Sequence, residues 1–107
     1  MSQQHTVGTH ATTVSTSDNY TRVVYHATTV VKFNHKDIIL NSGGWVTATT
    51  KLRMNQASSQ FDLGFKVYQK DFEWFIDYNG KTYDYFDRIR IDRKRKMIQN
   101  RQRYMIQ

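Results

Sequence analysis

The sequence predicts a small α+β domain, with antiparallel strands packed on one helix in the order β-β-β-α-β-β-β. Three observations carry this reading. Residues 20–41 alternate polar with apolar positions and are rich in β-branched residues. Residues 50–63 repeat their apolar positions at helical spacing. Residues 65–86 hold an Asn-Gly pair between two aromatic, alternating runs. At 107 residues the chain holds one domain at most, with a modest core.

The first nineteen residues, MSQQHTVGTHATTVSTSDN, have no aromatic and only two valines. They offer too little apolar area to offset the entropy of ordering, so residues 1–19 are expected to form a flexible tail. His5 and His10 have no thiol or carboxylate close by in sequence and make a poor metal site. No metal and no cofactor is expected. The domain is expected over residues 20–87. It opens with a three-stranded meander read from YTRVVYHA, TVVKFN and IILN, with NHKD as the turn before the third strand.

A junction follows, NSGGWVTATTKLRMNQ. Gly43 and Gly44 allow backbone angles that a Cβ resists, and Thr47 or Thr49 is placed to cap a helix by accepting from free backbone N–H groups. The helix is expected from about Thr50 to Leu63. Met54, Ala57 and Phe61 form its apolar stripe, flanked by Leu52 and Leu63, while Lys51, Asn55, Ser58, Ser59 and Asp62 line the polar side. Gly64 stands where a left-handed cap is expected.

Two turn assignments fix the next register. A type I′ turn at Asn79-Gly80 pairs Tyr78 with Lys81, Ile76 with Tyr83 and Trp74 with Tyr85. A turn at Lys70-Asp71 pairs Val67 with Trp74 and Phe65 with Ile76. One face then carries Phe65, Val67, Trp74, Ile76, Tyr83 and Tyr85, and a slip of one residue would scramble it. The other face carries Lys66, Tyr68, Glu73, Phe75, Asp77, Thr82 and Asp84. Tyr68, Phe75 and Tyr78 are the hairpin aromatics expected to remain available.

The charge is uneven. Residues 1–87 carry eight Lys/Arg and eight Asp/Glu, whereas residues 88–107 carry eight Lys/Arg against Asp92 alone. The whole net charge of +7 therefore belongs to the last twenty residues. Residues 88–107 are expected to be a basic tail, partly disordered or ordered by a partner, with a pattern that also allows an extension of the last strand followed by a helix with Met97, Ile98, Arg101 and Met105 on one side. The chain has no cysteine, so it has neither a disulfide frame nor a Cys-based zinc site. No stretch approaches ~20 apolar residues, and the N-terminus lacks a secretory pattern, so a soluble cytoplasmic protein without a membrane partner is expected.

The string NSGGWVTATTKLRMNQ resembles a motif in a family of small uncharacterised bacteriophage proteins, close to S-G-G-W-x-T-x-T-T-K-x-R-M-N-Q, which precedes a GF-x-V-Y-Q…W-F hairpin. The matching residues are Ser42, Gly43, Gly44, Trp45, Thr47, Thr49, Thr50, Lys51, Arg53, Met54, Asn55 and Gln56, then Gly64, Phe65, Val67, Tyr68, Gln69, Trp74 and Phe75. The resemblance spans roughly residues 24–86. It implies a phage origin, a β/α/β layout and host-cell cytoplasm as location, and it implies no activity. By category, such proteins are host-takeover or anti-defence factors.

Four chemistries are set beside their plainer readings. The helix start, with Thr47, Thr49, Thr50 and Lys51, is a candidate anion site or only a capped helix whose Trp45 plugs the core edge; P-loop spacing is missing. The polar helix face of Lys51, Arg53, Asn55, Gln56 and Gln60 is a candidate for reading a nucleotide or a partner backbone, or a solvated face. RIRIDRKRK puts six cations in nine residues, suited to phosphates or simply solvated, and no RNA- or DNA-binding signature accompanies it. His26, His35 and the pair Asp77 and Asp84 match no catalytic motif, and no enzyme is expected. The reading is thus a non-enzymatic phage protein that binds nucleic acid or a ribonucleoprotein. Arg88, Arg90, Arg93, Lys94, Arg95 and Lys96 are expected to make the phosphate contacts, supplemented by Lys51 and Arg53 if the helix start faces the same side. The alternative is an inhibitor of a host protein, or a protein holding a nucleotide at the helix start, with Trp45, Thr49, Thr50, Asn55 and Gln56 as partner-binding candidates. The thin core suits a homodimer under each reading.

Overall fold

The computed structural model of the protein describes residues 12–98. The chain is α+β, as the patterns predict, but with nine strands. In order these are β1 (Thr12–Ser17), β2 (Tyr20–Tyr25), β3 (Thr28–Phe33), β4 (Asp37–Leu40), α1 (Ala48–Gln60), β5 (Phe65–Lys70), β6 (Glu73–Tyr78), β7 (Lys81–Asp84), β8 (Ile89–Asp92) and β9 (Met97–Ile98). They form a six-stranded sheet, β1-β2-β3-β4-β8-β9, and a three-stranded sheet, β5-β6-β7, antiparallel throughout.

Alternation decides which face each strand buries. In the larger sheet Val23, Val31, Ile38, Leu40, Ile89, Ile91 and Ile98 are buried, and their strand partners in register are one another. In the smaller sheet Phe65, Val67, Trp74, Ile76 and Tyr78 are buried. With Met54, Ala57 and Leu63 these residues make one core. A fully buried Ile or Leu truncated to Ala in such a core costs about 2–5 kcal/mol.

Helix α1 starts where Thr47 caps it, accepting from the Thr50 backbone N–H at 3.3 Å. It ends in a Schellman arrangement, with Leu63 N–H donating to Ser58 O at 2.8 Å and Asp62 at φ 55°. The left-handed cap is thus Asp62 rather than Gly64, whose own φ of 83° serves the entry into β5.

Three expectations are corrected. First, residues 12–17 of the expected flexible tail form β1, paired along its whole length with β2 through a two-residue Asp18-Asn19 turn, both residues at positive φ. Thr and Val have high strand propensity, and a neighbouring strand supplies the bonds that composition alone does not foresee. Residues 1–11 lie outside the described residues. Second, the basic tail begins as structure. Ile89 and Ile91 insert β8 beside β4, and RKRK is the turn into β9, with Asp92 Oδ1 accepting from the backbone N–H groups of Lys94 and Arg95 at 3.0 Å each. The helix expected for the tail is a strand at Met97 and Ile98, and its remainder falls outside the described residues. Third, the β5–β6 turn is Asp71-Phe72, not Lys70-Asp71, so Val67 pairs with Ile76 and Phe65 with Tyr78. The slip is of two residues, so the predicted apolar face survives it. Tyr78, expected to be available, is buried on that face.

Candidate nucleic-acid interface

The six-stranded sheet has one face covered by α1 and the smaller sheet, and one face open. Register places side chains on the open face. Arg22 lies opposite Lys32, Lys32 opposite Ile39, and Ile39 opposite Arg90. Three cations thus share one row across four adjacent strands, spanning about 14 Å at the usual strand spacing. Tyr20 sits beside them, with Lys32 Nζ 4.5 Å and Arg22 Cζ 5.9 Å from its ring centroid. Arg22 is held by its Nη1, which donates to Ser17 Oγ at 2.8 Å and Ser17 O at 3.2 Å.

The β8–β9 turn carries Arg93, Lys94, Arg95 and Lys96 at the end of the sheet, where Asn79 Nδ2 of the β6–β7 turn donates to Lys96 O at 3.2 Å. Arg93 anchors the turn. Its Nη1 donates to Asn34 O at 2.6 Å, and its backbone N–H donates to Lys36 O at 2.8 Å. Two acids lie among the cations. Asp37 is 3.8 Å from Arg90 and Asp92 is 3.8 Å from Arg95, so each acid offsets part of the positive charge beside it. Arg90 keeps 55% of its side chain exposed. Arg88 precedes β8 at φ 68°, exposed, its N–H donating to Leu40 O at 2.7 Å. All six cations of the predicted set therefore sit on one stretch of ordered backbone, and Arg22 and Lys32 join them. Composition could not assign those two, because their contribution depends on strand neighbours.

The helix residues lie on the other side of the sheet. Arg53 is 8% exposed, packed under the Tyr25 ring at 5.5 Å, with Nε donating to Thr12 Oγ1 and Nη1 to Gln56 Oε1. Lys51 Nζ donates to Gln69 Oε1 at 3.1 Å and lies 5.0 Å from the Trp74 ring centroid. Neither shares the open face with Arg90.

Asn55 is a building part. Its amide donates to Val67 O and accepts from Val67 N–H, both at 2.8 Å, while Ser58 Oγ donates to Phe65 O at 2.7 Å and accepts from Phe65 N–H at 3.0 Å. The helix thereby acts as a neighbouring strand for β5. Thr50 is fully buried beneath the cap and cannot meet a partner, and Thr49 is half-buried.

The junction at residues 41–47 is fixed by close approach. Gly43 has φ 63°, and a Cβ there would come within 2.5 Å of Thr28 Oγ1, which explains glycine at this point. Asp87 closes the junction. Its Oδ1 accepts from Ser42 N–H and from Tyr85 Oη, both at 2.9 Å, and its Oδ2 accepts from Ser42 Oγ at 3.0 Å. Burial, then the neighbouring Asp87 charge, pushes the Tyr85 hydroxyl well above its ordinary value near 10, so it stays a donor. Beside this clasp lies a cavity of about 260 Å³, walled by Val46, Phe72, Trp74, Tyr85 and Phe86. Phe72 is 95% exposed at φ 68°, and Trp45 is 58% exposed. The exposure of Trp45 departs from the plainer reading that it plugs the core edge, and Phe72 is absent from the predicted set, although a bulky residue in the second central position of a type I′ turn is its signal. No group of three or more metal-ligating side chains occurs among the described residues.

These features define a small two-sheet α+β domain with a cationic open face and no helix long and apolar enough to cross a membrane among the described residues. The chain belongs to the Kyanoviridae Gp96 protein family, a family of phage proteins, whose sequence profile matches residues 1–97. No curated protein and no solved structure matches the chain.

Proposed function

We propose that this phage protein is a non-enzymatic binder of nucleic acid, free or within a ribonucleoprotein, and that the open face of the six-stranded sheet is its contact surface. The observation that carries the reading is the row Arg22, Lys32 and Arg90 on the open face. A row of cations neutralises successive phosphates and releases counterions. It holds no side chains arranged to read base edges, so binding is of low sequence preference. The test is fluorescence anisotropy with labelled single- and double-stranded oligonucleotides across salt concentration. Replacing Arg22, Lys32 and Arg90 together by Gln lowers the slope of log affinity against log salt by about 2–3, close to one per lost phosphate contact. An unchanged slope removes the reading.

A second reading rests on a different observation, the exposed Phe72 lining a cavity with Val46. Large exposed aromatics at a concave site are typical anchors of protein–protein contacts. Under it the protein is a host-takeover or anti-defence inhibitor that binds a host protein through this corner, and Phe72 is the residue on which that contact depends.

A further inference from the structure

The two sheets have four edges, and three of them are blunted. The free side of β5 is filled by Asn55 and Ser58, which hydrogen-bond its backbone. β7 is four residues long and carries Lys81 and Asp84, and β9 is two residues long behind a turn of four cations. Short length, charge and side-chain cover are the usual devices that keep sheets from joining. β1 is neither short nor charged, and among the described residues side chains hydrogen-bond it at its two ends, Arg53 at Thr12 and Arg22 at Ser17. It is six residues long, TTVSTS, without charge, glycine or proline, paired with β2 in unbroken register, and residues 13–17 are exposed.

We propose that β1 is an assembly edge and that its occupant is the β1 strand of a second copy of this chain, paired antiparallel about a two-fold axis. The strand suits its own copy, since a neutral Thr/Ser strand meets itself without charge repulsion and Thr–Thr and Thr–Ser cross-strand pairs are favourable. The symmetry also fixes the register. An antiparallel pair about a two-fold keeps equivalent faces on the same side, so one residue must lie opposite itself. Val14 is that residue. It pairs with Val23 on the core side of the sheet, yet it is 44% exposed, and facing its own copy covers the one apolar side chain of β1. Val14 then meets Val14 of the second copy, and Thr13 meets Ser15. The six-stranded sheets join into one continuous sheet. This pairing does not depend on what the open face binds.

The test is sedimentation or light scattering of the full chain from about 1 to 300 µM, the range in which a small interface associates. The expected mass at the top of the range is twice 12.8 kDa. Val14→Lys places a charge on the axis beside its own copy and is expected to weaken dimerisation at least about tenfold, with unchanged circular dichroism. Because the chain has no cysteine, Val14→Cys gives a clean second readout. Opposed strand residues lie within disulfide reach, so V14C forms a covalent dimer on mild oxidation, whereas Ser59→Cys on the exposed helix surface does not. A mass that stays at one chain throughout, or a dimer that V14K leaves intact and V14C fails to cross-link, overturns the proposal.

Discussion

Phe72 holds a conformation that favours Asn or Gly. Its φ of 68° follows Asp71 at 54°, the same pattern that Asn79-Gly80 adopts at the next hairpin with residues suited to it. A bulky residue there costs about 1–2 kcal/mol, and nothing the phenyl ring touches offsets it when 95% of it faces solvent. Phe72→Gly is therefore expected to raise the urea midpoint, by about 1 kcal/mol in stability. Under the second functional reading the same variant loses a host protein that the wild type retains from nuclease-treated lysate. An unchanged midpoint places the strain elsewhere, and a variant that retains the same protein dismisses Phe72 as the anchor. The sequence displays this residue openly, in KDFE, but a hairpin rule that looks for Asn-Gly passes over it. Arg53 and Asn55 show the opposite difficulty. Both are polar residues on a helix and look like a binding face. Nothing local says that Tyr25, 28 residues earlier, covers one and that the backbone of Val67 claims the other.

At the level of elements, the hairpins were legible and their neighbours were not. Parity survives a two-residue slip, so Phe65, Val67, Trp74 and Ile76 fall on one face under either turn. The central segments carried enough apolar residues to be assigned directly. β1 and β8 lack that density. β8 is IRID, four residues whose two isoleucines are fully buried only because β4 lies beside them. The run of cations that follows looks like a solvated tail, and Asp92 makes it a turn. The junction of α1 and β5 belongs to this scale as well. Asn55→Ala leaves the Val67 N–H and C=O without their partner, and an unpaired, partly buried backbone group costs about 1–3 kcal/mol. Chemical denaturation is expected to show a loss in that range, with faster hydrogen exchange at Val67. A loss below a few tenths would mean that water replaces the amide.

Across the whole molecule, the charge count was sound and its geometry was hidden. The excess positive charge does lie after residue 87, yet β8 places Arg90 within the larger sheet, in one row with Lys32 and Arg22 from strands far away in sequence. An expected detachable arm is instead a rim and a row on a rigid surface. This changes the character of any polyanion contact, since cations fixed on a sheet lose less side-chain and backbone freedom on binding than those of a free chain.

The neck between β4 and β8 carries a kinetic consequence. Leu40 pairs with Ile89, so everything from residue 41 to residue 88 leaves the larger sheet and returns to it at a single point, latched by Asp87 on Ser42. Bringing those ends together spends chain entropy before the β4–β8 ladder returns any bonding, which makes this closure the natural bottleneck of refolding. Asp87→Ala is expected to slow the refolding arm of a stopped-flow chevron about tenfold while leaving the unfolding arm nearly still. The reverse split would mean that the latch snaps shut only after the barrier has been crossed. With no proline anywhere in the chain, no slow isomerisation phase obscures that measurement.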